Sequence, residues 1–420
     1  MTEARRRRSL THVGGAITRE GAREESAALA RALDVAPSKE DDADPSRAHV
    51  HGFHVYPARM HPDTASRLVE LTSYAGERVL DPFCGSGTVI ACAMLLRREA
   101  IGTDLNPLAV LLAARKIAPR DPATDEKLLA AAARAKEHAD DRRAKKSGAH
   151  KRYGAEDVAS FDPHVLLELD SLRDAIEREK DGIVRDDLRV VLSAILTKVS
   201  RRKADTSNQI LGGDAPKRIA AGYTAKLFVK KTEELVARTR AFAEMLPSPR
   251  PRAFVFVDDA RKLEKVRDGE CDALVTSPPY VGTYDYAEHH ALRMRWLGLH
   301  AKRLEENEIG TRREFGRPRN DRRFDDKVRD WERQVEAALV AMHRALAAPK
   351  NGRRARAAFV VADSELGGRA VRADETFARL GRKTGFIPVA RASQPRPHFH
   401  DRRAFVEKPR FEHALLLERA

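Results

Sequence analysis

Hydrophobic residues early in the chain form short blocks of strand length, separated by turns and by one segment of helical character. The block "RVLD" predicts a strand over 78–81, and "AIGTD" predicts another over 100–104. Between them lie a glycine-rich turn and an apolar helix over about 87–96. This order is a βαβ unit, whose strands run parallel with a right-handed crossover.

The alternation of strands and helices resumes in the second half of the chain. Five further strands are predicted there, at 253–260, at 272–277, at 356–363, within "TGFIPVARA" and at 412–418. Helical segments separate most of them. We therefore predict an α/β, Rossmann-like fold with a seven-stranded, mainly parallel sheet, helices on both faces and an antiparallel last strand.

Residues 121–250, between these two parts, carry the 3.6-residue periodicity of helices. We interpret them as a helical insertion that divides the catalytic domain into 49–120 and 251–420. Residues 1–48 mix Arg, Glu, Ala and Asp, which predicts a disordered basic tail.

Composition adds a preference for a polyanionic partner. Among 420 residues, Lys and Arg exceed Asp and Glu by 78 − 63 = 15, which favours nucleic acid over a membrane surface. Only three cysteines occur, without metal-ligand spacing, so we expect neither a disulfide framework nor a metal site. No apolar run approaches the ~20 residues that span a bilayer. We expect a cytoplasmic protein.

The turn "DPFCGSGT" joins the first strand to its helix. Gly85 and Gly87 let the backbone approach a ligand closely, and the N–H groups at the start of the helix favour polar or anionic groups. Asp104 ends the next strand, where an acid accepts both ribose hydroxyls of a nucleoside. Asp259, or Asp258, follows a third strand and is placed to accept from an adenine amino group. Together they predict a nucleoside-binding crevice.

A second motif, "SPPY" at 277–280, follows the strand 272–277. Proline donates no backbone hydrogen bond and fixes φ, so two prolines make a rigid corner. Such a corner holds the Ser277 hydroxyl and the Pro278 carbonyl as preorganised acceptors. An ordinary turn is the alternative when this motif is considered alone.

"DPFCGSGT" followed by "TSPPY" resembles the amino-group DNA methyltransferases that use S-adenosyl-L-methionine, of the cytosine-N4 and adenine-N6 family. "FHVYPARMHPDTASRLVEL", "FVDDARKL" and "EIGTRREF" are also similar to segments of these enzymes. The resemblance covers roughly 51–118 and 253–418. Its order, cofactor loop before catalytic loop, implies that the intervening insertion recognises the target.

The resemblance implies a set of site residues in this sequence. The catalytic ones are Ser277, Pro278, Pro279 and Tyr280, with the Tyr280 ring stacking on a base flipped from double-stranded DNA. The cofactor-binding ones are Tyr56, Pro57, Asp81, Phe83, Gly85, Gly87, Thr88, Asp104, Asn106 and Asp259. S-adenosyl-L-methionine is the implied cofactor, DNA the implied partner, and a cognate restriction endonuclease a second partner that the family allows.

The first residue of "SPPY" bears on the target base. In the resembled family, serine at this place goes mainly with cytosine N4, whereas Asp or Asn goes with adenine N6. We therefore expect a site-specific cytosine-N4 DNA methyltransferase. Adenine N6, an RNA base, and a non-catalytic nucleic-acid-binding protein on the same fold are the alternatives. Methylation at cytosine C5 needs a cysteine nucleophile, usually in a Pro-Cys pair, which is absent here.

Three further segments are candidates for nucleic-acid contact. Residues 311–324 are rich in arginine and suit a phosphate backbone. The basic segment 200–209 predicts a loop whose Arg201, Arg202, Asn208 or Gln209 reads bases. In the segment "YDYAEHHALRMRWLGL" after "SPPY", the aromatic residues Tyr284, Tyr286 and Trp296 suit either base stacking or core packing.

Overall fold

The computed structural model describes residues 15–35, 44–204, 207–210, 219–315, 321–366, 368–396 and 403–420. The side chains of 203–204, 207–210 and 321–324 are outside this description, as are parts of three predicted segments: the tail, the arginine-rich segment 311–324 and the basic segment 200–209. No helix among the described residues combines the length and the apolar character needed to cross a membrane.

An eight-stranded sheet forms the centre of the described fold. Its order is β1-β11-β12-β8-β7-β2-β3-β6, and β6, β3, β2, β7 and β8 run parallel to their neighbours in that series. The strands are β1 (Thr18–Gly21), β2 (Arg78–Asp81), β3 (Glu99–Asp104), β6 (Ala253–Val257), β7 (Ala273–Thr276), β8 (Arg356–Ala362), β11 (Phe386–Pro395) and β12 (Phe411–Arg419). The seven predicted strands are all present, and β12 is antiparallel to β8 as expected.

The eighth strand corrects the prediction for the N-terminal segment. A disordered tail over 1–48 is wrong for β1, which pairs antiparallel with β11, and for α1 (Arg23–Leu33). Helix α1 buries Leu29, Ala32 and Leu33, an i, i+3, i+4 set that forms an apolar face. Residues 1–14 and 36–43 lie outside the described part of the chain.

Helices cover both faces of the sheet because alternate strand residues point to opposite sides. Val79 of β2 packs in a cluster with α1, α2 (Pro62–Thr72) and α3 (Thr88–Leu95). Its neighbour Leu80 packs on the other face, with α12 (Asp321–Ala345) and α13 (Ala373–Lys383). The remaining helices of the α/β part are α4 (Pro107–Lys116), α10 (Tyr286–Leu297) and α11 (Lys302–Asn307).

The segment between the two α/β parts is mostly helical, as its periodicity predicts. A third hydrophobic cluster joins its helices to α4 and α10, so the insertion packs beside the edge of the sheet that carries β3 and β6. Its helices are α5 (Pro122–Ala144), α6 (Ala155–Ser160), α7 (Pro163–Arg178), α8 (Gly182–Leu196) and α9 (Tyr223–Met245).

Two short hairpins were not predicted. In the segment 200–209, where we expected a loop, β4 (Arg202–Ala204) pairs antiparallel with β5 (Ser207–Ile210). The second hairpin, β9 (Ser364–Leu366) with β10 (Arg369–Val371), follows β8. Strands of three or four residues carry too few positions for an alternating pattern to be recognised.

Candidate active site at the carboxyl edge of the sheet

The carboxyl ends of β2, β3, β6 and β7 meet at one edge of the sheet, because these strands are parallel and adjacent. Asp81 and Asp104 end β2 and β3, Asp258 and Asp259 follow β6, and Ser277 follows β7. A cleft at this edge brings together the glycine-rich turn, the acids and the start of the "SPPY" loop. Parallel topology therefore collects residues that are up to about 200 positions apart in the sequence.

The glycine-rich turn has a backbone that only glycine adopts easily. Gly85 has φ +49° and Gly87 has φ +80°, both in the left-handed region. A Cβ on Gly85 would lie 3.2 Å from the Tyr56 ring, and one on Gly87 would lie 2.8 Å from Ala113 Cβ. The turn thus needs glycine at both positions, one against Tyr56 in the cleft and one against α4.

Two hydroxyl groups at the start of α3 are buried without a partner. Among the described residues, Ser86 Oγ and Thr88 Oγ1 have no hydrogen-bond partner, and both side chains line the cleft. A buried hydroxyl without a partner costs free energy, on the order of 1–3 kcal/mol. A polar ligand group at this helix terminus would satisfy both.

Asp104 holds the turn and the next helix in place. Its Oδ2 accepts a hydrogen bond from the Gly85 N–H at 2.9 Å, and its Oδ1 accepts from the Asn106 N–H at 2.8 Å. Asn106 caps α4 through the Leu108 N–H and donates to the Tyr56 hydroxyl at 3.4 Å. The carboxylate is therefore fixed, and each oxygen keeps a further lone pair for a ligand hydroxyl.

Two aspartates in the cleft have raised pKa values. Burial raises the pKa of Asp81 to about 7, against hydrogen bonds from Thr276 and the Phe83 N–H, and the nearby Asp104 charge raises it further. Burial also raises the pKa of Asp104 to about 6, against its two backbone hydrogen bonds. A cationic ligand would stabilise the ionised form of both groups.

The two acids after β6 have different surroundings. Asp258 is buried and accepts from the backbone N–H groups of Asp259 and Lys265, both at 2.8 Å, so it shapes the loop. Asp259 lines the cleft and pairs with Arg261 at 2.6 Å. Burial opposes ionisation of Asp259, but its hydrogen bonds with Arg261 leave its pKa below the ordinary value. Of the two, Asp259 is therefore the one available to a ligand.

The "SPPY" loop turns from the cleft toward the core. Ser277 and Pro279 line the cleft, while Pro278 is buried. Tyr280 lies outside the cleft lining, and its hydroxyl accepts from Ser277 Oγ at 3.4 Å. Among the predicted site residues, Pro57, Gly87, Pro278 and Tyr280 do not line the cleft, whereas the other ten do.

Several cleft residues were not among the sequence candidates, and Glu308 is the most informative. It begins "EIGTRREF" and accepts from the N–H groups of Tyr286 and Ala287, the first residues of α10. Burial raises its pKa to about 7, against these hydrogen bonds. Other unpredicted lining residues include Arg59, Met60, Cys84, Ser86 and Ile309. Ser86 lies within "DPFCGSGT" and Glu308 within "EIGTRREF". Their position in these motifs was the signal by which they could have been predicted as site residues.

The aromatic candidates after "SPPY" divide between cleft and core. Trp296 is buried, stacks on Tyr153 with ring centroids 5.1 Å apart, and donates to Asp157 at 3.0 Å, which is core packing. Tyr286 lines the cleft, and Tyr284 lies beside it with ring centroids 5.5 Å apart. A base could therefore meet Tyr286 but not Trp296.

Comparison with known proteins agrees with these motifs. A family model described as DNA methylase, of the N6/N4 class, matches residues 33–115, which include the glycine-rich turn and Asp104. Type II methyltransferase M.MvaI of Kocuria varians is 26% identical over 59% of this chain and 58% of its own length. The chain is thus similar to N6/N4 amino-group DNA methyltransferases, and it spans a little over half the length of M.MvaI.

Two further similarities are shorter or more distant. Type II methyltransferase M.MjaII of Methanocaldococcus jannaschii is 32% identical over 19% of this chain and 15% of its own length. The solved rRNA methyltransferase aviRa of Streptomyces viridochromogenes superposes with a TM-score of 0.35 at 11% identity, covering 92% of this chain and 94% of that one.

The family implies S-adenosyl-L-methionine as the cofactor, and the residues of the cleft fit it. The buried hydroxyls of Ser86 and Thr88 offer partners to its polar amino-acid end. Asp104 offers acceptors to ribose hydroxyls, and Asp81 offers a buried carboxyl to a cationic group. The glycine-rich turn leaves the space that side chains would fill.

Proposed function

We propose that this protein transfers a methyl group from S-adenosyl-L-methionine to an exocyclic amine of a base in DNA, with cytosine N4 as the target. The observation that carries the proposal is that Ser277 lines the same cleft as Asp81, Asp104 and Asp259. A methyl-accepting amine held by Ser277 would then face the cofactor across one cleft. Positioning of this kind is a main source of rate in group transfer.

The residues of this chain would supply acceptors rather than a strong base. The cofactor, when bound, supplies an electrophilic methyl group whose bond to sulfur breaks with the electron pair left on sulfur. The amine nitrogen forms the new bond to carbon and afterwards loses one proton to water. The Ser277 oxygen, which lines the cleft, would accept from the amine and direct its lone pair toward the methyl carbon. The Pro278 carbonyl is the proposed second acceptor, to be reached by the amine when the base is bound.

Cytosine N4 is preferred to adenine N6 because the first loop residue is a serine. Methylation at cytosine C5 needs a thiolate nucleophile, and two cysteine thiols of this chain are poorly suited to that role. Burial raises the pKa of Cys271 to about 12, and this residue lies before β7 rather than at the carboxyl edge. Burial also raises the pKa of Cys84, which lines the cleft, well above its ordinary value. Neither thiol is suited to form a thiolate nucleophile at neutral pH.

The helical insertion 121–250 is proposed as the part that recognises the target in double-stranded DNA. Its hairpin β4–β5 begins with Arg202, and Arg201 immediately precedes it. The basic excess of the chain supports a polyanionic partner. A cognate restriction endonuclease is proposed as a second partner of the modification reaction.

The test is incubation of the protein with DNA and methyl-labelled cofactor, followed by mass spectrometry of the nucleosides. We expect label in N4-methylcytosine. Label in N6-methyladenine would support the coarser activity and overturn the base choice, and label found only in a parallel RNA reaction would overturn the DNA substrate. Ser277→Ala should lose the label yet still bind cofactor by calorimetry, while Ser147→Ala, in the loop after α5, should behave as wild type.

A further inference from the structure

Two side chains of the "SPPY" loop and one side chain from the last strand form a line of hydrogen bonds that starts at the cleft. Ser277 Oγ donates to the Tyr280 oxygen at 3.4 Å, and the Tyr280 hydroxyl donates to Glu412 Oε1 at 3.4 Å. Glu412 lies on β12, which is antiparallel to β8 and therefore begins at the carboxyl edge of the sheet. The "SPPY" loop is thus connected to the C-terminal strand.

The other oxygen of Glu412 is occupied by a buried cation. Arg396, directly after β11, donates to Oε2 from Nε at 3.1 Å and from Nη2 at 2.5 Å. Both side chains are buried, Arg396 at 3% and Glu412 at 8% exposure. A buried pair with this geometry holds the carboxylate in one orientation.

An ionised carboxylate accepts hydrogen bonds and donates none, and this sets the direction of the whole line. The Tyr280 hydroxyl must give its single proton to Glu412, so the Tyr280 oxygen can only accept from Ser277. The Ser277 hydroxyl then gives its proton to Tyr280. What remains on Ser277, at the cleft, is a pair of acceptor sites.

We propose that Glu412 is a positioning residue that makes Ser277 an obligate hydrogen-bond acceptor and thereby selects an amine as the methyl target. This inference rests on the proposed function. An exocyclic amine donates to such a serine, whereas the carbonyl oxygen at the same position of uracil or thymine finds no donor. Burying an unsatisfied acceptor against an acceptor is costly, so bases with a carbonyl there are rejected.

The length of both hydrogen bonds agrees with a role that develops when substrate is present. Both exceed the ~2.8 Å typical of hydroxyl pairs. Catalytic hydrogen bonds are often long in a free enzyme and shorten in the complex. An amine donating to Ser277 would polarise its hydroxyl and strengthen the line toward Glu412.

The test compares kcat and KM for DNA methylation in Glu412→Gln, Tyr280→Phe and the double variant. The amide introduced by Glu412→Gln can donate to the Tyr280 oxygen and so reverse the direction of both hydrogen bonds. Tyr280→Phe keeps the aromatic ring and removes the hydroxyl that connects Ser277 to Glu412. We expect each single variant to lose about tenfold or more in kcat with KM for DNA within about twofold. The kcat of the double variant should be no lower than that of either single variant, because both changes interrupt the same line of hydrogen bonds.

Glu418→Gln is the matched control, because Glu418 lies on the same strand and pairs with Arg356 at 3.2 Å far from the cleft. It should retain the kcat of wild type. If Glu412→Gln unfolds, as seen by circular dichroism, then Arg396→Met combined with Glu412→Gln removes the cation that Glu412 pairs with, and Tyr280→Phe still tests the line of hydrogen bonds.

Wild-type kcat in Tyr280→Phe, or losses that multiply in the double variant, would overturn the inference while leaving the proposed function intact. An inactive wild-type protein would instead remove the proposed function itself. Binding to duplexes with uracil in place of the target cytosine gives a second readout. Wild type should bind the cytosine duplex more tightly, and Glu412→Gln should reduce that difference.

Discussion

The hydroxyl of Thr276 donates a hydrogen bond to Asp81 Oδ1 at 2.7 Å, and both side chains are buried. Thr276 is the last residue of β7, which leads into "SPPY", and Asp81 is the last residue of β2, which leads into the glycine-rich turn. This hydrogen bond lowers the pKa of Asp81 against the larger effect of burial. The strand before the "SPPY" loop therefore influences the ionisation of a carboxyl group in the cleft.

Replacing Thr276 by Val should weaken cofactor binding at neutral pH. The isosteric change removes the hydroxyl, so the pKa of Asp81 rises further and less of it is ionised at pH 7. We expect the Kd for S-adenosyl-L-methionine to increase several-fold by calorimetry at pH 7 and to recover toward wild type at pH 9. Thr276→Ser keeps the hydroxyl and should bind nearly as wild type. Equal weakening at both pH values would contradict this explanation.

Cofactor affinity should rise as pH increases from about 5.5 to 8. The pKa values of Asp81 and Asp104, about 7 and about 6, mean that the free protein holds both partly neutral in this range. A cationic cofactor binds the ionised forms better, so binding releases protons and is favoured at higher pH. Glu308, with a pKa of about 7 at the same cleft, acts in the same direction. We expect about a tenfold change in Kd, since one pKa unit corresponds to a factor of ten.

S-adenosylhomocysteine supplies the matched comparison, because it lacks the sulfonium charge. Its affinity should depend less steeply on pH than that of the methyl donor. Asp81→Asn should flatten the profile of the methyl donor as well. A profile that stays equally steep in Asp81→Asn would assign the pH dependence to another group.

Gly87→Ala should destabilise the protein. Its φ of +80° lies in the left-handed region, and a Cβ there would be 2.8 Å from Ala113 Cβ on α4. Strain of this kind costs about 1–3 kcal/mol, which urea unfolding would measure as a lower midpoint at unchanged slope. Gly148→Ala is the control, since no atom lies within 4 Å of its added Cβ and its φ is not positive. An unchanged midpoint in Gly87→Ala would mean that α4 moves aside without cost.

The sequence predicted the centre of this site well because the strands involved are buried on both faces. β2, β3 and β7 appear as apolar runs that end abruptly at Asp81, Asp104 and the "SPPY" loop. Adjacent parallel strands bring such ends to one edge, so chain order and strand pattern were enough to predict a shared crevice.

Features that depend on exposed or long-range contacts could not be predicted in this way. β1 has four exposed residues and is held through its backbone pairing with β11, so it has no hydrophobic signal. Glu308 enters the cleft because its loop folds back onto the start of α10. Glu412 reaches Tyr280 across 132 positions of sequence. No periodicity encodes contacts of these kinds.

Lys116→Met should stabilise the protein at neutral pH. Lys116 ends α4 and is buried at 4% exposure, and its Nζ has no hydrogen-bond partner among the described residues. Burial, and then the Arg59 charge, lower its pKa from 10.5 to about 7. The unfolded chain binds this proton more tightly, so wild-type stability should rise between about pH 7 and pH 10.5. Met removes the cost of burying a charge and keeps an apolar side chain. The free energy of unfolding should therefore increase by on the order of a few kcal/mol at pH 7.

Urea unfolding of wild type and Lys116→Met at pH 7 and at pH 9.5 checks this expectation. The increase in stability of Lys116→Met over wild type should be largest at pH 7 and below, where the wild type carries the full cost of the buried Lys116 charge. It should be smaller at pH 9.5. Lys226→Met, at an exposed position of α9, should shift neither midpoint appreciably. A gain that stays the same at both pH values would show that packing, rather than the buried charge, sets the effect.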